Sequence, residues 1–286
     1  MAWSKIKTII ILILLLLNLF LLALVGVIQM RSAQYEAAAL SEAAAVLELN
    51  SIQVAASSLP SSMTLSAAAV SRDYQQETVM AAAILGEELE TRSTGGGLRL
   101  YESAFGSISF RSGGEFSMSF TDPPAPPEGG SRLDQVQALL DRMGLSVWRL
   151  SETGDTVTAV QSLDGAPVFS AGIAGAGLAF AYDGEGRLIS VTGRLALGRA
   201  AAEPGGQEPL TVPTILISFF NFIMDSGDAC HCVYEVTAIY RAAFLSDPVR
   251  LTPAWLITTD IGDYYVDAYS AEVTRISNTS ARAAGR

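Results

Sequence analysis

The chain has 286 residues and a formal net charge of −11, with 18 lysines and arginines against 29 acidic residues and one histidine. That balance excludes nucleic acid and anionic membrane surfaces as ligands of the bulk of the chain, since both need a basic footprint. Two cysteines are too few for a disulfide framework, so the fold must stand on its core.

Lys5 and Lys7, the only lysines, stand just before an uninterrupted apolar run from Thr8 to Ile28. At about 1.5 Å rise per residue this run matches a hydrocarbon core of roughly 30 Å. It exceeds the roughly 7–15 apolar residues of a cleaved signal, although Ser32-Ala33 offers a weak small-residue site. The sequence therefore predicts a cytoplasmic tail (1–7), an uncleaved transmembrane helix (8–28) contacting the lipid bilayer, and everything after Met30 outside the cell membrane. Lys5 and Lys7 are the topology determinants. So short a tail cannot fold into a domain, and any inward message must pass through the bilayer by helix contact.

Residues 29–49 read as a juxtamembrane helix, rich in alanine and free of glycine and proline. An N-terminal α/β subdomain is predicted over 50–122. It starts with a short strand at Asn50–Val54 and a loop at Ser57–Ser62. A helix from Arg72 to Glu90 follows, with Val79, Ala82, Ala83 and Leu89 as its apolar face. Alternation from Leu98 to Phe120 then predicts antiparallel strands turned at Gly106 and at Gly113-Gly114. Residues 123–130, carrying prolines and glycines, form a stiff linker.

The C-terminal subdomain (131–276) opens with a helix capped by Ser131, carrying Leu133, Val136, Leu139, Leu140 and Met143 and ended by Gly144. Strands are predicted at Ser146–Leu150, Thr156–Ser162, Pro167–Tyr182 and Leu188–Leu195, with turns at Asp164-Gly165 and Asp183–Gly186. Gly198–Pro209 reads as loose and polar, Leu210–Asp225 as a second helix ended by Gly227, Tyr234–Tyr240 as a strand, and Ala254–Ile276 as a hairpin. The two blocks repeat an order of helix, strand, proline-containing strand, turn and final strand. Pro167-Val168-Phe169 with Arg187–Val191 answers Pro253-Ala254-Trp255 with Glu272–Ile276. Residues 277–286 are a tail. The predicted fold class is α+β: a single N-terminal transmembrane helix, then an exterior domain of helices packed on antiparallel sheets.

Trp3-Ser4-Lys5-Ile6-Lys7-Thr8 with Leu17-Asn18-Leu19-Phe20-Leu21-Leu22 resembles the start of the YycI/YycH-type regulatory proteins of the essential cell-wall two-component system in low-GC Gram-positive bacteria. Gln161–Phe169, Asp183–Ile189, Pro253–Asp260 and Tyr264–Tyr269 resemble that family's exterior, PepSY-like repeats. The last hairpin departs from the pattern, since Ser270-Ala271 stands where a turn glycine is expected. A turn needing positive φ is costly without glycine, which predicts a different turn there. The resemblance implies no enzymatic chemistry and no cofactor. It implies contact with a sensor histidine kinase, and with a paralogous accessory membrane protein, through the membrane helix and the exterior domain.

Cys230-His231-Cys232 is the constellation closest to catalysis or metal binding. On a strand the cysteines share one face and His231 takes the other, so the three cannot converge on one zinc. A surface loop or strand is the simpler reading, with a disulfide or a site using the lone His231 as alternatives. Asp260, Asp263 and Asp267 invite a calcium reading, but their spacing is not that of an EF-hand and turn chemistry explains them. Gly172–Gly177 lacks a phosphate-loop context and reads as a bulge or close packing. No catalytic, cofactor or metal residue is assigned. Asn18 is the helix-association candidate, since an amide inside the bilayer finds its partners on neighbouring helices. The expected function is a non-enzymatic, membrane-anchored accessory regulator of a cell-wall sensor histidine kinase. The alternatives are an exterior PepSY-like inhibitor or chaperone of a secreted peptidase, and a cell-envelope hydrolase.

Overall fold

A computed structural model describes residues 2–54, 59–124, 130–170, 177–203, 207–245 and 247–276. Most of the 123–130 linker, residues 172–176 of the glycine run, part of the Ser57–Ser62 loop and the 277–286 tail fall outside the described residues. Four helices are described: α1 Ala2–Leu49, α2 Tyr74–Leu85, α3 Arg132–Met143 and α4 Val212–Ser226. The strands are β1 Gln53–Val54, β2 Ala68–Val70, β3 Glu90–Thr94, β4 Leu98–Ser103, β5 Gly106–Phe110, β6 Glu115–Phe120, β7 Val147–Thr153 and β8 Thr156–Leu163. They continue as β9 Ala166–Ser170, β10 Leu178–Tyr182, β11 Leu188–Arg194, β12 Ala200–Ala202, β13 Cys232–Ala243, β14 Val249–Thr259, β15 Gly262–Asp267 and β16 Val273–Arg275. The α+β class holds, and pairing is mostly antiparallel.

The strands fall into two leaves. The first has the order β7-β8-β10-β11-β6-β5-β4-β3, antiparallel throughout. Alternation along β5 and β6 turns Ile108, Phe110, Phe116 and Met118 inward and leaves Ser107 and Ser119 outside, hydroxyl to hydroxyl at 3.0 Å. Helices α2 and α3 share that core through Met80, Ile84, Val136, Leu140 and Met143. Residues on both sides of the 123–130 linker thus share one sheet, across the β6–β11 pairing, and one core.

The second leaf holds β12-β2-β14-β13-β9, with β1 on β13 and β15-β16 on β14. Its core joins Trp255, Ile257, Tyr264 and Val266 to α4 and to the last turns of α1. The β8–β9 hairpin carries the chain between leaves: β9 pairs with β8 only at Ser162↔Pro167 and Leu163↔Ala166, then runs parallel to β13. At the seam the buried Arg72 guanidinium pairs with the buried Glu77 carboxylate and donates to the Phe110 carbonyl at 3.3 Å. The Arg72 backbone N–H donates to Asp247 of the second leaf at 2.9 Å.

Several sequence expectations hold. Ser131 and Asp134 form a reciprocal capping box at the start of α3, and Gly144 ends it in the left-handed conformation. Gly227 does the same for α4. Gly177 supports the close-packing reading, since a Cβ there would lie 1.9 Å from the Ala159 carbonyl oxygen.

Others need correction. Helix α2 stops at Leu85, with Gly86 closing it, and its buried face is Glu77, Met80, Ala81, Ile84 and Leu85 rather than Val79, Ala82, Ala83 and Leu89. The phase was misread because a carboxylate occupies the core side, which is tolerable only through its ion pair with Arg72. The predicted strand Pro167–Tyr182 is two strands in different leaves, β9 and β10. The stretch read as loose contains β12, an alanine edge strand paired with β2. Ala271 itself adopts φ +58, so the last turn is left-handed without a glycine.

The phrases of the expected repeat are not equivalent in the fold. Both α3-β7-β8-β10-β11 and α4-β13-β14-β15-β16 are a helix followed by an antiparallel meander, and α2-β3-β4-β5-β6 is a third such unit. By position β14 answers β8, whereas Pro167-Val168-Phe169 lies in the inserted β9. Pro253 sits where the neighbour of β14 changes from β2 (Val249–Leu251) to β15 (Ala254–Thr259), a break in the ladder that accepts a residue lacking an N–H.

Candidate functional site: the apolar helix and its root

Helix α1 runs unbroken from Ala2 to Leu49, about 70 Å at 1.5 Å per residue. The run of branched and leucine side chains has no glycine or proline before Gly26, and that lone glycine leaves the helix intact. The large side chains from Ile11 to Val25 are exposed, covered by none of the other described residues. Among the described residues no helix is long and apolar enough to cross a membrane. Of the predicted span, side chains are described continuously from Ile11 to Gly26, about 24 Å of helix against a core of roughly 30 Å. Asn18 lies in the middle of this band, and its amide donates to the Leu14 carbonyl at 2.8 Å. One amide hydrogen is thus satisfied inside the helix, leaving the second hydrogen and the side-chain oxygen for a partner. Lys5 and Lys7 lie on the first turns of α1.

At its other end α1 is rooted in the second leaf. Ala43 and Leu47 are buried against Ile215, Leu216 and Phe219 of α4. The helix closes in a Schellman arrangement: Ile52 N–H donates to the Leu47 carbonyl at 2.9 Å and Ser51 N–H to Glu48 at 3.0 Å, with Ser51 at φ +66. Ile52, fully buried, packs in the same core as Leu47. The next residues form β1, parallel to the start of β13, with Gln53↔Cys232 and Val54↔Val233.

The Cys230-His231-Cys232 segment therefore lies at the foot of α1, and Asp260 organises it. The Asp260 carboxylate accepts the backbone N–H groups of His231 and Cys232, each at 3.1 Å, lies 3.5 Å from the Cys230 sulfur, and meets His231 Nδ1 at 3.3 Å. Burial pulls the Asp260 pKa upward, but these backbone and thiol hydrogen bonds outweigh it and hold the carboxyl below its usual range. Cys230 goes the other way: burial, then the Asp260 charge, push its thiol up to about 11. That is the reverse of an activated nucleophile. His231 is exposed and Cys230 buried, but both precede β13, which begins at Cys232, and both side chains meet the same Asp260 carboxylate, so the strand alternation expected from the sequence does not describe the segment.

The three aspartates serve separate ends. Asp260 ties the Cys230–Cys232 backbone, Asp263 is half-buried at the start of β15 with its pKa raised by burial, and Asp267 accepts the N–H groups of Tyr269 and Ser270. Among the described residues no three His, Cys, Asp or Glu side chains are grouped to hold a metal ion. Sequence reasoning missed the tie between Asp260 and the Cys-His-Cys segment because the partners lie about thirty residues apart. The available signal was the pairing of β13 with β14, which sets the start of one strand beside the end of the other.

No protein-family model matches the chain. No curated protein matches it either. Solved structures similar in shape include the following two. A crystal structure of an uncharacterised protein from Eubacterium rectale is 12% identical, covers 79% of this chain and 90% of its own, and superposes with a TM-score of 0.46. The C-terminal domain of Bacillus megaterium YpeB is 11% identical, covers 73% of this chain and 100% of its own, with a TM-score of 0.38. Likenesses this loose carry neither the fold nor a function across to this chain.

Proposed function

We propose that this chain is an uncleaved single-pass membrane protein, N-terminus in the cytoplasm, whose exterior α+β domain acts by binding and not by catalysis. In this reading it is an accessory regulator of a cell-wall sensor histidine kinase, in the manner of the YycI/YycH-type proteins that its anchor and PepSY-like strand phrases resemble. The observation that carries the reading is α1: one helix exposes an apolar band at Ile11–Val25 and roots Ala43 and Leu47 in the domain core. Exposed apolar side chains on this scale call for a covering phase or partner, and an unbroken helix transmits displacement from the domain to that band. The partner is regulated by population shift. This chain binds one kinase conformation more tightly than the other, and output moves by no more than that difference allows.

The test exchanges residues 8–28 for an unrelated apolar helix of equal length in the native membrane. Capture of the tagged protein, with partners identified by mass spectrometry, should lose the kinase while the domain stays folded. Retention of the kinase and of its regulation would overturn the transmembrane mechanism. An inhibitor or chaperone of a secreted peptidase would tolerate the same exchange.

A further inference from the structure

Two concavities on the first leaf are lined, at the β4–β5 turn, by the consecutive residues Phe105 and Ala104. The first, about 400 Å³, is bounded by Ile84 of α2, Leu139 of α3, Phe120 of β6 and Leu188 of β11. Phe105, at the tip of the β4–β5 turn, forms its outer wall and is 65% exposed. Asp122 and Asp134 stand at its edge with Arg142, whose guanidinium is taken up by the Ala83 carbonyl at 2.7 Å. The second, about 570 Å³, is lined by Ala104 and walled by Glu88, Glu90 and Glu102. Its one cation among the described residues, Arg92, sits between Glu90 at 3.3 Å and Glu102 Oε2 at 3.5 Å, an ion pair in which Oε2 accepts no hydrogen bond.

An apolar hole beside an acidic trough selects one chemistry. Neutral ligands leave the carboxylates unused, and anions meet repulsion from the trough and from a chain of net charge −11. We propose that these two concavities dock a basic segment of a partner polypeptide, with an apolar or aromatic side chain in the pocket against Phe105 and neighbouring lysines or arginines along Glu88, Glu90 and Glu102. The aromatic anchor supplies the buried contact, and the carboxylates supply register and rate of encounter. The site lies on a different leaf from the root of α1 and does not depend on the membrane reading.

The experiment measures fluorescence anisotropy of a labelled heptapeptide of alternating lysine and leucine with a central phenylalanine. It is titrated with the full chain in neutral detergent micelles, with empty micelles as blank. Saturable one-to-one binding is expected, about tenfold weaker after Phe105→Ser, an exposed position where folding is not at stake. The pair Glu88→Gln and Glu90→Gln should weaken it similarly, and added salt should reduce what remains. Glu235→Gln with Glu272→Gln removes the same charge elsewhere and should change affinity by less than about twofold. A peptide with serine for its apolar residues should bind at least about tenfold more weakly. Equal binding of the serine peptide would reveal a general attraction to an acidic surface and overturn the proposal. So would affinity unmoved by Phe105→Ser together with the Glu88 and Glu90 changes, or absence of saturable binding.

Discussion

The backbone N–H of Gln53 donates to the carbonyl of His231 at 2.8 Å, so the first residue of β1, four past the end of α1, is tied to the first turn of chain before β13. Below that bond Leu47 and Ile52 are sealed in the core, and above it Asp260 gathers the Cys230–Cys232 backbone. A displacement of α1 along its axis therefore pulls on β13, the strand around which the second leaf is built.

Leu47→Ala should cost about 2–5 kcal/mol in chemical denaturation, by lost burial and by the cavity it leaves. Leu49→Ala, at a position 85% exposed, should stay within about 0.5 kcal/mol of the parent. If Leu47→Ala unfolds at the parental denaturant concentration, the helix is not rooted where the contacts place it.

The Arg72–Glu77 pair should show the asymmetry of buried charges. Side-chain exposure is 7% and 1%. Arg72→Met or Glu77→Leu alone strands one charge and should cost about 3–5 kcal/mol, whereas the double substitution should recover most of the loss. Urea unfolding of the four proteins measures the cycle, and additive single losses would contradict the pairing.

Cys230 should react sluggishly. A thiol raised from 9.0 to about 11 holds on the order of a hundredfold less thiolate at pH 8, and iodoacetamide labelling should slow accordingly. The same shift sets a pH dependence. The folded-state pKa lies above the unfolded one, so this stabilisation is full below about pH 9 and is lost as pH rises toward 11. Asp260 acts in the opposite window: its folded pKa is depressed, so its contribution is present above the ordinary carboxylate range and fades as pH falls. Asp260→Asn should flatten the acid limb of the stability profile.

If α1 is the membrane anchor proposed above, Asn18→Leu should leave insertion intact, because it removes a polar group from an apolar band. It should weaken association with a partner helix by about 0.6 kcal/mol, the low end of the 0.6–2 range, since one amide hydrogen is already engaged by Leu14. Co-purification with a chain ending near Leu49 isolates this contact from any made by the domain. Undiminished co-purification of that short chain would make the asparagine a passenger.

The parts of this fold written in local chemistry were legible. Ser131 and Gly144 bracket α3, and Asp164-Gly165 turns β8 into β9, because each signal acts within a few residues. The parts decided at a distance were not. Glu77 faces the core only because Arg72 waits there, β9 leaves its neighbours for a strand some seventy residues on, and β12 is three alanines with no pattern of its own. The apolar pocket draws on α2, α3, the β4–β5 turn, β6 and β11, and no single stretch of sequence announces it.

The path of the chain between the two leaves bears on how the protein is made. β1 and β2 belong to the second leaf, α2 to β8 to the first, β9 to the second, β10 and β11 to the first, and β12 onward to the second again. Early strands thus wait for partners that emerge late: β2 needs β14, and β1 needs β13. Such long-range closure slows folding and delays the final cooperative step until nearly the whole chain has left the ribosome. Truncation after Arg194 should leave Ala68–Val70 an unpaired edge, and expression as two halves should yield two insoluble products that fold only together.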